Sequence, residues 1–374
     1  VTGLTILPFV EYDDPFDIIA HLIPGSEGTL AFLSEMVFRT GKVFPLSESA
    51  LLLFPSTRSA CEAVAEIKKT GSAVAAEFFD RRAMRVVEKE FPELAGLPDG
   101  AGALLVKTEA VDAEELKSKR ERILNAISSF KLEAPAQFTS DPGTVSRYWA
   151  MRSGIFPAVG GMREIGTTCL IEDVAVPINR LAEATEDLQR LFVAHGYLDA
   201  VIYGHALDGN WHFILNQRFD TPAAIAQYDG MMRDVIELVT KKYDGSLKAE
   251  HGTGRNMAPF VRKEWGDAAY GLMEDEKDLS KMYIDLELFE AYAAAYLEGA
   301  GDTLTDAELE YMPWGAKLMT LECGIRFLTD YLSGDTYFRT HREGQNLDRC
   351  RTQFKLVSDM EAHWDEMNAI ISKF

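Results

Sequence analysis

Along the first two thirds of the chain, apolar residues fall in short runs bounded by turn-forming residues. Ala50 to Phe54, Val74 to Phe79 and Ala103 to Thr108 have strand length, as do Cys169 to Val176, Asp199 to His205 and Trp211 to Asn216. Leu30-Ala31-Phe32-Leu33 and Leu247-Lys248-Ala249-Glu250 read as two further strands. Helical spacing fills the gaps between them. Ser56 is an N-cap for a helix that ends at Gly71, and a charged helix runs from about Ala113 to Phe130. Pro177 starts a helix that Gly196 ends, and Pro222 opens another reaching Lys242. A short helix through Ile18-Ile19-Ala20-His21-Leu22 follows Asp13-Asp14-Pro15, and Leu207-Asp208-Gly209-Asn210 makes a tight turn between two strands. Helices between strands, together with hairpins, predict an α+β fold: a ferredoxin-like antiparallel sheet with helices on one face.

From Glu274 onward the pattern changes. Phe289 to Leu297, Leu318 to Tyr331 and Cys350 to Ile371 carry helical spacing with no strand pattern, which predicts a mostly helical C-terminal segment. This change sets a boundary near Glu274.

Composition narrows the class of function. With 47% hydrophobic and 10% aromatic residues the chain can bury a real core. Its 59 acidic residues outnumber 38 basic ones, a net charge of -21, which argues against nucleic acid or an anionic membrane as the main partner. No apolar run approaches the roughly 20 residues a membrane span needs. Cys61, Cys169, Cys323 and Cys350 stand far apart with no CxxC pair, which argues against a zinc ribbon or an internal iron–sulfur cluster. Scattered cysteines of this kind fit a reducing, cytoplasmic setting. The chain opens on Val1, as expected of a start inside a longer protein.

The candidate chemistry lies in two glycine-containing motifs. Gly204-His205-Ala206-Leu207-Asp208-Gly209-Asn210-Trp211-His212 puts two histidines either side of a turn, where both imidazoles can converge on one ion. Ala249-Glu250-His251-Gly252-Thr253-Gly254-Arg255 adds a carboxylate and a third histidine. Two histidines and a carboxylate with an open coordination position suit catalytic zinc, or iron or manganese. A lone histidine is usually a satisfied core or surface residue, and His21, His195, His341 and His363 keep that reading.

These two motifs resemble the C-terminal lobe of FAD-linked oxidases of the vanillyl-alcohol-oxidase fold, a family that includes D-lactate, glycolate and D-2-hydroxyglutarate dehydrogenases. The resemblance covers residues 1 to about 272 and implies a remnant of the FAD-binding lobe over 1–40 and a substrate and metal domain over 41–272, ahead of a helical tail over 273–374. Gly25-Ser26-Glu27-Gly28-Thr29-Leu30 resembles the loop closing the FAD-binding lobe. Trp149-Ala150-Met151-Arg152-Ser153-Gly154-Ile155 resembles the substrate-arginine helix, and Glu172-Asp173-Val174-Ala175-Val176-Pro177 the strand after it. Phe156-Pro157-Ala158-Val159-Gly160 is similar to long bacterial members with an iron–sulfur half downstream. The resemblance implies a D-2-hydroxyacid substrate, FAD, and a divalent metal, zinc first, held by His205, His212 and Glu250. It further implies His251 as general base, Arg152 as the substrate-carboxylate clamp and Asn210 beside the flavin or substrate. An iron–sulfur protein or quinone as electron acceptor and a homodimer are the implied partners.

Two positions depart from that pattern. Some members carry a lysine two residues before the position of Asp173, to hold a second carboxylate; here Ile171 stands there, leaving Arg163 as the candidate cation. Leu207 replaces a glycine of the commoner His-x-Gly-Asp-Gly-Asn form. The family's larger FAD-binding lobe belongs ahead of Gly25, so a second expectation is an inactive or structural piece that binds metal alone. In the tail, the segment Leu318 to Leu332, Gly334-Asp335-Thr336-Tyr337-Phe338 and Asn346-Leu347-Asp348-Arg349-Cys350-Arg351 resemble the end of an aminoglycoside-phosphotransferase-type N-acetylhexosamine kinase. The kinase's catalytic loop is not matched, so Glu322, Arg326 and Asp330 read as packing and surface groups. The tail is expected to be scaffold.

Overall fold

The computed structural model describes every residue except 1, 27–29, 31–35, 37–39, 274–275, 301–302, 339 and 341. The chain divides into two compact units: residues 1–6 with 22–266, and residues 7–21 with 267–374.

The first unit is built on β1 (Leu46–Phe54), β2 (Ala75–Asp80), β3 (Gly102–Ala110), β4 (Thr168–Ala175), β5 (Val201–His205) and β6 (Asn210–Gln217). They form one sheet in the order β1-β3-β2-β5-β6-β4, and each neighbouring pair is antiparallel. The order is that of two split β-α-β units laid edge to edge. In one, α1 (Thr57–Lys69) crosses from β1 to β2 and β3 inserts between them; in the other, α5 (Leu181–Ala194) crosses from β4 to β5 and β6 inserts. The halves meet through three residue pairs, Glu77 with His205, Phe78 with Gly204 and Phe79 with Tyr203.

Alternation along the strands sends side chains to two apolar layers. Phe54, Phe78, Trp211 and Phe213 face the larger layer, under α1, α3 (Ala113–Ala126), α5 and α6 (Pro222–Glu237). That is the helix-covered face that the alternation of strands and helices along the chain predicts. The opposite face is covered as well, by α2 (Arg81–Val87) and α4 (Pro142–Met162), which bury Met84, Val87, Met151 and Ile155 on Phe79, Val201 and Ile214. A buried indole needs a partner for its N–H, and Trp211 Nε1 donates to Thr185 Oγ1 at 2.7 Å. Ser56 caps its helix as expected, and Asp80, Asp112, Asp141 and Thr221 cap theirs in the same way, each side chain accepting a backbone N–H of the first turn.

Three expectations need correction. Pro177 precedes a short 3-10 turn, Ile178–Arg180, before α5 begins. The helix from Pro222 passes into a π turn, Leu238–Lys242. The segment Leu247 to Glu250 forms no strand; only Ser246 bridges to Ala175. Its amides are taken by side chains instead. Glu264 accepts from Leu247 N, and Asp173 accepts from Ala249 N and Glu250 N, each at 2.8 Å. The expected strand Leu30 to Leu33 falls on 31–33, outside the described residues.

The second unit holds α7 (Leu286–Ala300), α8 (Asp306–Glu310), α9 (Met312–Leu332), α10 (Gln345–Ala362) and α11 (Trp364–Ile371), with a helix Pro15–Leu22. The predicted helix Cys350 to Ile371 breaks at His363. Asp330 is buried and accepts the backbone N–H groups of Thr336, Tyr337 and Phe338 and the Asn346 side-chain amide. Its role is to hold the loop after α9, a packing role as expected. None of the described helices is long and apolar enough to cross a membrane.

Candidate active site

The site lies on the α4 face of the sheet, where strand register assembles it. Glu77 faces His205 across β2 and β5, Tyr203 faces His212 across β5 and β6, and His212 faces Asp173 across β6 and β4. Directly opposed residues point to the same side of a sheet. The turn between β5 and β6 permits this by two close backbone approaches. A Cβ on Gly204 (φ +153°) would lie 2.4 Å from Asn210 O, and one on Gly209 (φ +68°) would lie 2.2 Å from Val176 O. Leu207, in place of the usual glycine, packs on the larger core.

Three ligand atoms of His205, His212 and Glu250 lie within 4.8 Å of one another. Glu250 Oε1 is 3.0 Å from His212 Nε2 and 3.3 Å from His205 Nε2. His251 stacks on His212, with ring centroids 4.7 Å apart, and its Nε2 is 3.5 Å from the same carboxylate oxygen. Thus the four residues that two separate motifs suggested converge on one place.

Protonation follows from the surroundings. Burial, then the neighbouring His251, His205 and Arg152 charges, push the His212 imidazole down to about 3, so it is neutral. Its buried Nδ1 has no partner among the described residues. The Glu77 hydrogen bond raises His205, against burial. Even so, Arg152 Nη2, a donor, stands 3.1 Å from His205 Nε2, which fits the neutral ring with its proton on Nδ1 facing Glu77. Burial pushes the Tyr203 phenol up to about 12, and Arg152 lies over that ring.

Asp173 holds the loop that carries Glu250 and His251. Its Oδ2 accepts the Ala249 and Glu250 amides, and its Oδ1 lies 3.8 Å from His251 Nδ1. Burial opposes its ionisation, but these amides and Lys248 outweigh burial and keep the carboxyl below its ordinary range. Lys248 Nζ, itself buried, sits 2.5 Å from Glu172 Oε2 and 3.2 Å from Asp173 Oδ1. Thr2 and Gly3 brace the same loop: Trp265 Nε1 donates to Thr2 O, and Gly3 N donates to Thr253 Oγ1. An open pocket of about 600 Å³ adjoins His251, lined by Ile171, Lys248, Gly252, Thr253, Gly254 and Asn256.

Asn210 is buried, and its Nδ2 donates to Val174 O at 3.2 Å and, at 3.4 Å, to Asp173 Oδ2. Arg163 does not join the site. Its guanidinium donates to the main-chain carbonyls of Gly160 and Thr167 and lines a different cleft, with Asn216 and Arg218. Of the expected cofactor loop, Gly25 has φ +90°, Ser26 is buried and Leu30 is exposed, while Glu27, Gly28 and Thr29 lie outside the described residues. His195 pairs with Asp234, and His21 and His363 bond carbonyls of their own helices; His341 lies outside the described residues. Glu77, Asp173 and Lys248 were missed as site residues, although each is a charge set within an apolar or strand-like run, and that was the available signal.

A family model for FAD linked oxidases, C-terminal domain, matches residues 46–279. The chain belongs to that family. As an FAD-linked oxidase domain it is 26% identical over 258 residues to the mitochondrial D-lactate dehydrogenase [cytochrome] of Arabidopsis thaliana, covering 68% of this chain and 44% of that protein. It is 29% identical over 248 residues to glycolate oxidase subunit GlcD of Escherichia coli (strain K12), covering 65% and 47%. The chain therefore spans about half the length of the curated relatives it matches. A solved alkyldihydroxyacetonephosphate synthase is similar at TM-score 0.46 and 19% identity, over 61% of this chain and 44% of that one. Three buried side-chain oxygens have no hydrogen-bond partner among the described residues, Asp173 Oδ1, Asn210 Oδ1 and Asn216 Oδ1; of these, Asn210 Oδ1 is the acceptor available to the FAD that the family implies.

Proposed function

We propose that this chain carries the substrate- and metal-binding half of a flavin-linked dehydrogenase acting on D-2-hydroxyacids. The observation that carries the reading is the convergence of His205, His212 and Glu250 within 4.8 Å, with His251 stacked beside them. Two neutral imidazoles and a carboxylate form a donor set for a divalent ion, zinc first, with a position left for substrate. When bound, the ion supplies Lewis acidity toward the substrate hydroxyl and FAD accepts the hydride.

The chain's own groups have the remaining roles. Arg152 offers a guanidinium fork to the substrate carboxylate. His251 takes the hydroxyl proton at its imidazole, and Asp173 behind Nδ1 steadies the cation that results. Asn210 lines the flavin or substrate side. The pocket wall presents Ile171, and the one ammonium lining it among the described residues, Lys248, is already neutralised by Glu172 and Asp173. That arrangement favours a short acid of the D-lactate kind over D-2-hydroxyglutarate. An iron–sulfur protein or quinone takes the electrons onward, in a cytoplasmic homodimer. We read the helical second unit as scaffold without kinase chemistry.

Two measurements test the reading. Purified protein retains about one divalent ion per chain, and His205→Ala markedly weakens that retention, leaving His212 and Glu250 as donors; a metal-free chain that His205→Ala leaves unchanged refutes the site. With added FAD, D-lactate reduces a dye faster than D-2-hydroxyglutarate does. The partial coverage of the relatives favours one second reading, a metal-binding piece that needs a further FAD-binding segment. In that case the chain shows metal but no flavin absorbance after reconstitution.

A further inference from the structure

We propose that Glu77 is a positioning residue that fixes His205 as an Nε2 metal donor and ties it to the Arg152 guanidinium. The inference rests on the reading of His205 as a ligand and goes beyond it, to how that ligand is held. β2 reads Ala75-Ala76-Glu77-Phe78-Phe79-Asp80, with β3 on one side and β5 on the other, and Glu77 is only 4% exposed. An ionised carboxylate in such a place is costly unless strong donors meet it.

Both of its oxygens are met by residues of the site. Glu77 Oε1 accepts from His205 Nδ1 at 2.8 Å, and Oε2 accepts from Arg152 Nε at 3.0 Å. Register explains the first contact, since Glu77 and His205 are direct cross-strand partners. The second comes from α4, which crosses that face. A scaffold role alone would be satisfied by any donors, whereas these two are the metal-donor imidazole and the substrate clamp.

The consequence for His205 is chemical. A carboxylate on Nδ1–H fixes the tautomer and ring orientation and leaves the Nε2 lone pair toward Glu250 and the His212 ring. The consequence for Arg152 is geometric. Glu77 holds Nε, the inner edge of the guanidinium, so the outer nitrogens swing about a fixed point. Arg152 Nη2 now faces His205 Nε2. If His205 Nε2 held an ion, Nη2 would lose that acceptor and be free for the substrate carboxylate, while Glu77 would keep the arm anchored through Nε. Glutamine cannot replace this, because its single carbonyl oxygen can accept from one donor and its NH₂ then opposes the other.

The test uses the whole chain and zinc alone. Chelator competition should show Glu77→Gln weakening Zn²⁺ affinity roughly 10–100-fold. In a His205→Ala background, the same substitution should change the affinity by less than about threefold. An unchanged affinity in Glu77→Gln overturns the proposal, and so does an equal loss in both backgrounds, which would mark a merely structural residue. If Glu77→Gln does not fold, Glu77→Asp makes the same comparison, since it keeps the charge but withdraws it by one methylene. ¹⁵N NMR of the metal-free chain gives a readout independent of zinc. His205 should carry its proton on Nδ1 in the wild type and lose that preference in the variant; an Nε2–H wild-type ring refutes the assignment. A wild type that binds no zinc defeats the functional reading itself, whereas zinc binding untouched by Glu77→Gln defeats only this inference.

Discussion

Lys248→Met should be among the most destabilising single changes in the first unit, although it removes no apolar contact. The ammonium stands 2.5 Å from Glu172 and 3.2 Å from Asp173, and all three residues are nearly inaccessible to solvent, at 5%, 3% and 0% exposure. Methionine fills nearly the same volume, so no large cavity opens. The change instead leaves two carboxylates in a buried place without the ammonium that both of them meet. Asp173 retains the Ala249 and Glu250 amides, and Glu172 retains the Asn256 side-chain amide, so the loss is less than full desolvation. Breaking a buried pair from one side typically costs about 3–5 kcal/mol. At roughly 2–4 °C per kcal/mol for a domain of this size, the melting temperature should fall by about 6–20 °C. The assay is thermal unfolding of the wild type, Lys248→Met and Glu172→Gln/Lys248→Met at pH 7, followed by circular dichroism. The double variant should recover most of the loss, because replacing both partners is commonly near neutral. A Lys248→Met loss below about 1 kcal/mol, or a double variant as unstable as the single, would refute the argument that burial sets the magnitude.

Two further outcomes follow from particular residues. Burial pushes the Asp80 carboxyl up to about 6, above its ordinary 3.8. The folded state thus holds that proton more tightly than the unfolded one, and the contribution is greatest below pH 3.8 and lost as pH rises through 6. Asp80→Asn keeps an acceptor for the Ala83 amide, so its stability relative to wild type should improve by up to about 3 kcal/mol between pH 4 and pH 7. Parallel urea-denaturation curves at the two pH values would contradict this. Gly209→Ala should cost about 1–3 kcal/mol or more, because φ is +68° and the new methyl would meet Val176 O at 2.2 Å. Zinc retention should fall with it, as the turn that sets His205 against His212 shifts; an unaltered melting temperature and zinc content would show that the turn is not tight.

Much of this was legible in the chain. Apolar runs of strand length identified all six strands of the sheet, and the two glycine-containing motifs identified His205, His212, Glu250 and His251 as one cluster. What escaped was whatever depended on partners distant in sequence. Leu247 to Glu250 has the composition of a strand, but its amides go to the side chains of Asp173 and Glu264, and no local rule reveals a side-chain acceptor 76 residues away. Glu77 looks like the polar half of an alternation until the register with His205 and the crossing of α4 are known. Lys248 reads as a surface charge until the sheet places Glu172 beneath it. Arg163 failed for the opposite reason: its charge suited the need, but its helix end turns the guanidinium back onto main-chain carbonyls.

The three residue pairs that join β2 to β5 have a kinetic meaning. Each half of the sheet can close its own crossover from contacts within about 65 residues, whereas the pairing of Glu77 with His205 spans 128. Longer loops close later and more slowly. On that ground the two sides of the candidate site should meet last, when the two halves of the sheet pair, and hydrogen exchange at Phe78, Phe79 and Tyr203 should report that step.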